Sequence, residues 1–194
     1  MSGVRRFAQW GLWFGGALVL LAAVLIAVDV LMRKFLARSI GGADELAGYS
    51  LAIGTAWGLG ATLLDRAHIR IDSLYVLFPQ KLRLALDLVA LVLLVGFFAL
   101  IGWHGWAVVT QSWISGSRSQ SALETPTVIP QLIWIAGLAV FVLIGVLLLV
   151  DALRIIAAGD LRTAARLIST RSAEEEVEDE IRDLKDRQMP KGSG

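Results

Sequence analysis

Long apolar segments alternate with short polar segments over the first 150 residues of the chain. A helix needs about 20 apolar residues to cross a bilayer core of about 30 Å. Four segments approach or exceed that length, over residues 10–32, 46–64, 84–109 and 128–150. Inside lipid, the backbone N–H and C=O groups of a segment must form hydrogen bonds with one another, which favours a helix. The alternation of apolar and polar residues that a barrel strand requires is absent. The pattern therefore predicts an all-α fold, an integral membrane four-helix bundle.

Composition supports a membrane protein rather than a soluble domain. Of the 194 residues, 56% are hydrophobic, and many of the acidic residues lie in the tail after Ser172. The basic residues stand singly between apolar segments, so we expect a lipid bilayer and no nucleic acid as partner. The absence of cysteine excludes disulfides, thiol nucleophiles, iron–sulfur clusters and thiolate zinc sites.

Two domains are expected. Residues 1–157 would form the transmembrane domain, and residues 158–194 a cytoplasmic amphipathic and acidic tail that is partly disordered. The first apolar segment is longer than the about 7–15 residues of a signal peptide, so we expect it to remain in the protein. In the tail, a surface helix is expected over Asp160–Ile168, followed by a short apolar stripe at Val177, Ile181 and Leu184.

The distribution of Lys and Arg predicts the orientation. Positively charged residues accumulate on the cytoplasmic side of membrane proteins. One side of the predicted membrane domain has Arg5, Arg6, Arg66, Arg70, Lys81, Arg83, Arg154, Arg162 and Arg166, and the other has Arg33, Lys34, Arg38 and Arg118. This bias predicts that both termini are cytoplasmic in a bacterial inner membrane, although the group after the first helix opposes it.

A ridge of small residues marks the second predicted helix. Ser50, Gly54, Gly58 and Thr62 recur every four residues, a spacing that lets another helix approach closely. The partner of this ridge is either another helix of the chain or a second subunit. Gly11 and Gly15 form a weaker version on the first helix.

Polar residues inside or beside the apolar segments require partners. Asp29 and Arg33 are four residues apart and predict an ion pair on one helix face. Deeply placed Trp57 and Trp134 should donate their indole N–H groups within the protein. Between the second and third helices, Asp72 would cap a short turn over residues 73–78 that ends at Pro79. Residues 110–127 read as an exposed connection, and Pro130 fits the first turn of the fourth helix.

The sequence gives little support for a catalytic or metal site within this chain. His68 and His104 lie near opposite membrane faces, and no metal, phosphate-binding or nucleophile motif is present. Two alternatives remain: a small carrier or channel using a carboxylate such as Asp29, and a membrane anchor subunit of a redox enzyme.

One ordered set of residues resembles a known family over roughly residues 5–157. The set comprises Arg33, Glu45-Leu46, the run Gly54-Thr-Ala-Trp57-Gly58, the run Asp65-Arg66-Ala-His68-Ile69-Arg-Ile-Asp72, Pro79 and Arg83, with Ser117-Arg118-Ser119 and Thr125-Pro126 through Trp134 further on. It resembles the small membrane subunit, of the DctQ type, of tripartite ATP-independent periplasmic (TRAP) transporters.

The resemblance implies a non-catalytic accessory role. In such systems a periplasmic solute-binding protein captures a solute, often an organic anion, and a large permease subunit transports it with a sodium gradient. The small subunit would be a scaffold for the large one, with no cofactor of its own and with the sodium ions bound in the large subunit. The implied structural or partner-contact residues, together with the ridge, are Arg33, Glu45, Ser50, Gly54, Gly58, Arg66, His68, Asp72 and Pro79.

Overall fold

The computed structural model describes residues 2–65, 78–168 and 181. These described residues form five helices: α1 (Ser2–Leu36), α2 (Ala43–Leu64), α3 (Gln80–Ser115), α4 (Val128–Ala157) and α5 (Leu161–Ile168). The described residues contain no strand beyond an isolated bridge between Arg118 and Pro126. The all-α prediction is therefore confirmed.

Three of the helices are long and apolar enough to cross a membrane: α1, α3 and α4. The 22 residues of α2 would extend over about 33 Å. However, its composition places it outside that group, because glycine, serine and threonine interrupt its apolar residues. The structure thus supplies three candidate spans where the sequence predicted four crossings.

The helices extend beyond the predicted apolar segments, and local backbone signals end them. Gly41 and Gly42 have positive φ in the turn between α1 and α2, and Gly116 ends α3 in the left-handed conformation. Pro79 precedes the first residue of α3 with extended backbone angles. The expected connection over residues 110–127 is shorter than predicted, because α3 continues to Ser115. Pro130 lies in the first turn of α4, as expected.

The long helices form a row in the order α1, α2, α4, α3. The main contacts of α1 are with α2, those of α2 also with α4, and those of α4 also with α3. We call the end of the row with residues 36–46 and 115–128 the Glu45 end. The opposite end, with residues 2–8, 65, 78–84 and 154–168, is the Asp65 end.

The core lies toward the Asp65 end. It comprises Ala8, Ala61, Leu63, Leu91, Val95, Phe141, Ile144 and Leu148. Phe141 is fully buried, and its ring lies 4.7 Å from that of Phe98 on α3. In lipid, close packing rather than exclusion of water holds such helices together.

The short helix α5 packs against this core. Gly159, with positive φ, ends α4. Asp160 then caps α5, because its carboxylate accepts hydrogen bonds from the backbone N–H (3.0 Å) and hydroxyl (2.6 Å) of Thr163. Leu167 and Ile168 contact the core. The expected helix over Asp160–Ile168 is therefore present.

Candidate functional site

Glycines bring the backbones of α1 and α2 into close contact. A Cβ added to Gly15 would lie 2.5 Å from the carbonyl oxygen of Gly54 and 2.9 Å from its Cα. A Cβ added to Gly54 would lie 2.8 Å from the oxygen of Gly15. One turn away, a Cβ on Gly11 would lie 2.9 Å from the backbone oxygen of Trp57. Only glycine allows the two backbones to approach this closely.

This contact occupies part of the ridge predicted on α2. Gly54 is buried against α1, so the structure supplies the alternative of packing within the chain at this position. Ser50 and Gly58 are only partly buried, and a Cβ on Gly58 would make an ordinary contact of 3.6 Å with Leu12. Thr62 donates its hydroxyl to the backbone oxygen of Leu59 at 2.8 Å.

Trp57 connects α2 to both of its neighbours. Its indole Nε1–H donates to the carbonyl oxygen of Ile133 on α4 at 3.0 Å, which confirms the expected partner within the protein. Its ring lies 5.8 Å from that of Phe14 on α1, edge to face. For Trp134 the described residues provide no such hydrogen bond, and that expectation was wrong within this part of the chain.

Asp29 organises the turn between α1 and α2. Its buried carboxylate accepts hydrogen bonds from the hydroxyl of Ser39 at 2.9 Å and the backbone N–H of Ile40 at 2.7 Å. It also forms the predicted ion pair with Arg33. Because these bonds satisfy the carboxylate locally, the turn is held against the end of α1.

Arg33 reaches α2 through Asp44 rather than Glu45. The Arg33 guanidinium lies 3.5 Å from the Asp44 carboxylate, at an exposed position. Arg33 therefore contacts both sides of the α1–α2 turn, whereas Glu45 contacts a different connection.

Glu45 binds the connection between α3 and α4. Ser121 donates its hydroxyl to the Glu45 carboxylate. Mainly because of this bond, and despite partial burial, the pKa of Glu45 is lowered to about 2, and the nearby polar side chains of Tyr49, Ser119 and Thr125 lower it further. An ionised Glu45 thus fastens residues 119–125 to the start of α2.

The loop that Glu45 holds is itself ordered by hydrogen bonds. The N–H of Ser119 donates to the oxygen of Thr125 at 2.9 Å, and the N–H of Thr127 donates to that of Ser117 at 3.1 Å. Ser119 and Thr125 belong to the residues that carry the family resemblance, but the resemblance does not connect them to Glu45. Their spacing from Glu45 along the chain gave no signal for this contact.

At the Asp65 end, an ion pair joins the start of α1 to the end of α2. Arg5 lies 3.0 Å from Asp65, with both side chains largely exposed. Pro79 opens α3 by accepting bonds from the N–H groups of Leu82 (2.9 Å) and Arg83 (3.1 Å). The candidates Arg66, His68 and Asp72, and the turn expected before Phe78, lie outside the described residues.

The acidic and histidine side chains are also possible metal ligands. Among the described residues no group of three or more His, Asp or Glu side chains is placed to hold a metal ion. His104 lies in an apolar groove between α3 and α4 with Leu100, Gln131 and Trp134.

The long apolar helices and their close packing define a multi-pass helical membrane protein. A family model described as "Tripartite ATP-independent periplasmic transporters, DctQ component" matches residues 9–155. The chain therefore belongs to this family, that of the small permease component of TRAP transporters, as the resemblance had indicated. The family is a transporter component rather than an enzyme. No curated protein and no solved structure matches the chain.

Proposed function

We propose that the chain is a scaffold for the large permease subunit of a TRAP transporter. The large subunit would carry an organic anion, delivered by a periplasmic solute-binding protein and driven by a sodium gradient. One observation carries the scaffold role. The described long helices are continuous and are fixed to one another by backbone-close contacts, above all at Gly15 and Gly54. The substrate and ion sites of many transporters are instead built from discontinuous helices near mid-membrane, and the described long helices show no such break.

The hydrogen bonds that Asp29 and Glu45 make at the Glu45 end support a rigid framework. Asp29 holds the α1–α2 turn, and Glu45 holds the α3–α4 connection 76 residues away in sequence. These carboxylates bond to the chain's own loops, so we assign them structural roles. This assignment disfavours Asp29 as the proton-coupled group of a self-contained carrier.

We propose four crossings with both termini in the cytoplasm, over residues 10–32, 46–64, 84–109 and 128–150. The uneven distribution of Lys and Arg favours this orientation. The case for α2 rests on its position, because it packs between two helices that are apolar enough to span the membrane. Its helical length of about 33 Å also matches the bilayer core.

The part of the ridge that α1 leaves accessible is the proposed contact for the large subunit. Ser50 and Gly58 are partly exposed, and a Cβ on Gly58 would meet α1 only at the flexible end of the Leu12 side chain, at 3.6 Å, whereas Gly54 is used within the chain. Replacing Gly58 with leucine should weaken co-purification with the large subunit. Gly96 on α3, where an added Cβ meets nothing within 4 Å, provides the matched Gly→Leu control. Release by the Gly96 variant alone would place the interface on α3 instead.

Reconstitution into vesicles tests the function. The chain alone should transport no solute, and the chain with the large subunit and the binding protein should take up an organic anion when sodium is supplied outside. Uptake by the chain alone would establish a small carrier. Uptake by the large subunit at the same rate without this chain would contradict the scaffold role.

A further inference from the structure

One face of α1 near the Asp65 end points away from the rest of the protein. Arg6, Gln9, Trp10 and Trp13 line a shallow groove there. Their spacing of three, four and seven residues places them on one helix face. The opposite face, which includes Gly11 and Gly15, packs on α2. Within the described part of the chain, the groove is therefore open to a molecule outside this chain.

The groove presents a positive charge for which the described residues supply no counter-ion. Its neighbour Arg5 is paired with Asp65 at 3.0 Å, whereas Arg6 has no acidic partner among the described residues. The sequence contains no Asp or Glu before Asp29, so no acid on α1 lies near Arg6. The amide of Gln9 adds a second donor, which suits an anionic, oxygen-rich group.

The tryptophans identify the depth at which the groove lies. Trp10 and Trp13 are 76% and 79% exposed. Indoles favour the headgroup level of a bilayer, where the ring contacts acyl chains and the N–H meets polar oxygens. The same helix face then continues through exposed Leu20, Leu21 and Val24. Charge, indoles and apolar side chains thus follow one another along the axis, as do the phosphate, ester groups and acyl chain of a lipid.

We propose that this face binds an anionic phospholipid, with the phosphate at Arg6, the ester region at Trp10 and Trp13, and an acyl chain along Leu20 and Val24. A zwitterionic lipid would fill the same groove less tightly, because its headgroup cation offsets the attraction to Arg6. The argument requires only that α1 spans the bilayer, and it holds for either orientation of the chain.

The test is native mass spectrometry of the full-length chain in mild detergent with added phosphatidylglycerol or phosphatidylcholine. Arg6→Gln should weaken the affinity for phosphatidylglycerol about fivefold, the loss expected for one arginine near an anionic surface. Arg5→Gln removes the same charge one residue away, from a side chain already paired with Asp65, and should leave lipid binding unchanged.

Several results would overturn the proposal. One is an equal loss of phosphatidylglycerol binding in the Arg5 and Arg6 variants. Another is equal binding of the two lipids by the unaltered chain. A third is displacement of the lipid by inorganic phosphate, which would indicate a site for a free anion. In the complex with the large subunit, loss of the lipid would show that protein covers this face. Retention of about one phosphatidylglycerol per chain in that complex would support the site.

Discussion

Replacing Gly15 with alanine should force α1 away from α2. The new Cβ would lie 2.5 Å from the carbonyl oxygen of Gly54 and 3.1 Å from its carbonyl carbon. These are backbone atoms that no side-chain rotation can move, so the helices must separate by roughly 1 Å before normal contact distances return. Overpacking of this kind costs about 1–3 kcal/mol, against a gain of about 1 kcal/mol in helix propensity.

The adjacent residue provides the control for this prediction. A Cβ on Gly16 would meet nothing within 4 Å, so Gly16→Ala gains the same propensity without a clash. The difference between the two variants removes the propensity contribution and should be about 1–3 kcal/mol, with Gly15→Ala the less stable. The measurement is an SDS titration of the purified chain in mild detergent, followed by tryptophan fluorescence. Equal midpoints would refute packing through Gly15 and Gly54.

Three further contacts give predictions that the same titration can check. Above pH 4.5, the ordinary pKa of Glu45, its ionised form stabilises the fold, and this contribution should be lost as the pH falls toward about 2. The stability difference between the unaltered chain and Glu45→Gln should therefore shrink over that range; a constant difference would contradict the assigned bond to Ser121. Trp57→Phe loses one interhelical hydrogen bond and should cost about 0.6 to 1.7 kcal/mol, whereas Trp134→Phe, with no such bond among the described residues, should cost less. Asp65→Asn breaks an exposed ion pair and should change stability by less than about 1 kcal/mol, an effect that salt should abolish.

The sequence predicted the helices better than their ends. Apolar runs mark where the chain lies in lipid, but a helix continues until a backbone signal ends it. Thr110 and Ser112 looked like part of a loop because they are polar. They remain helical because the first such signal is Gly116, in the left-handed conformation. The same reasoning explains why α1 extends at both ends beyond residues 10–32.

Contacts between residues close in sequence were predicted at the candidate site, whereas contacts between distant residues were not. Asp29 and Arg33 are one helical turn apart, so helix geometry alone gave their ion pair. The close approach at Gly54 was visible as a ridge, but its partner depends on which helices are neighbours, and periodicity carries no such information. The bond between Glu45 and Ser121 joins the first turn of α2 to the α3–α4 connection, far apart in sequence, and had no local signal.

The most direct test of the accessory role is co-purification from native membranes in mild detergent, with every associated chain identified by mass. The scaffold account predicts a large polytopic permease at about equal stoichiometry with this chain. Recovery of the chain alone, or only with copies of itself, from membranes that contain the permease would contradict it.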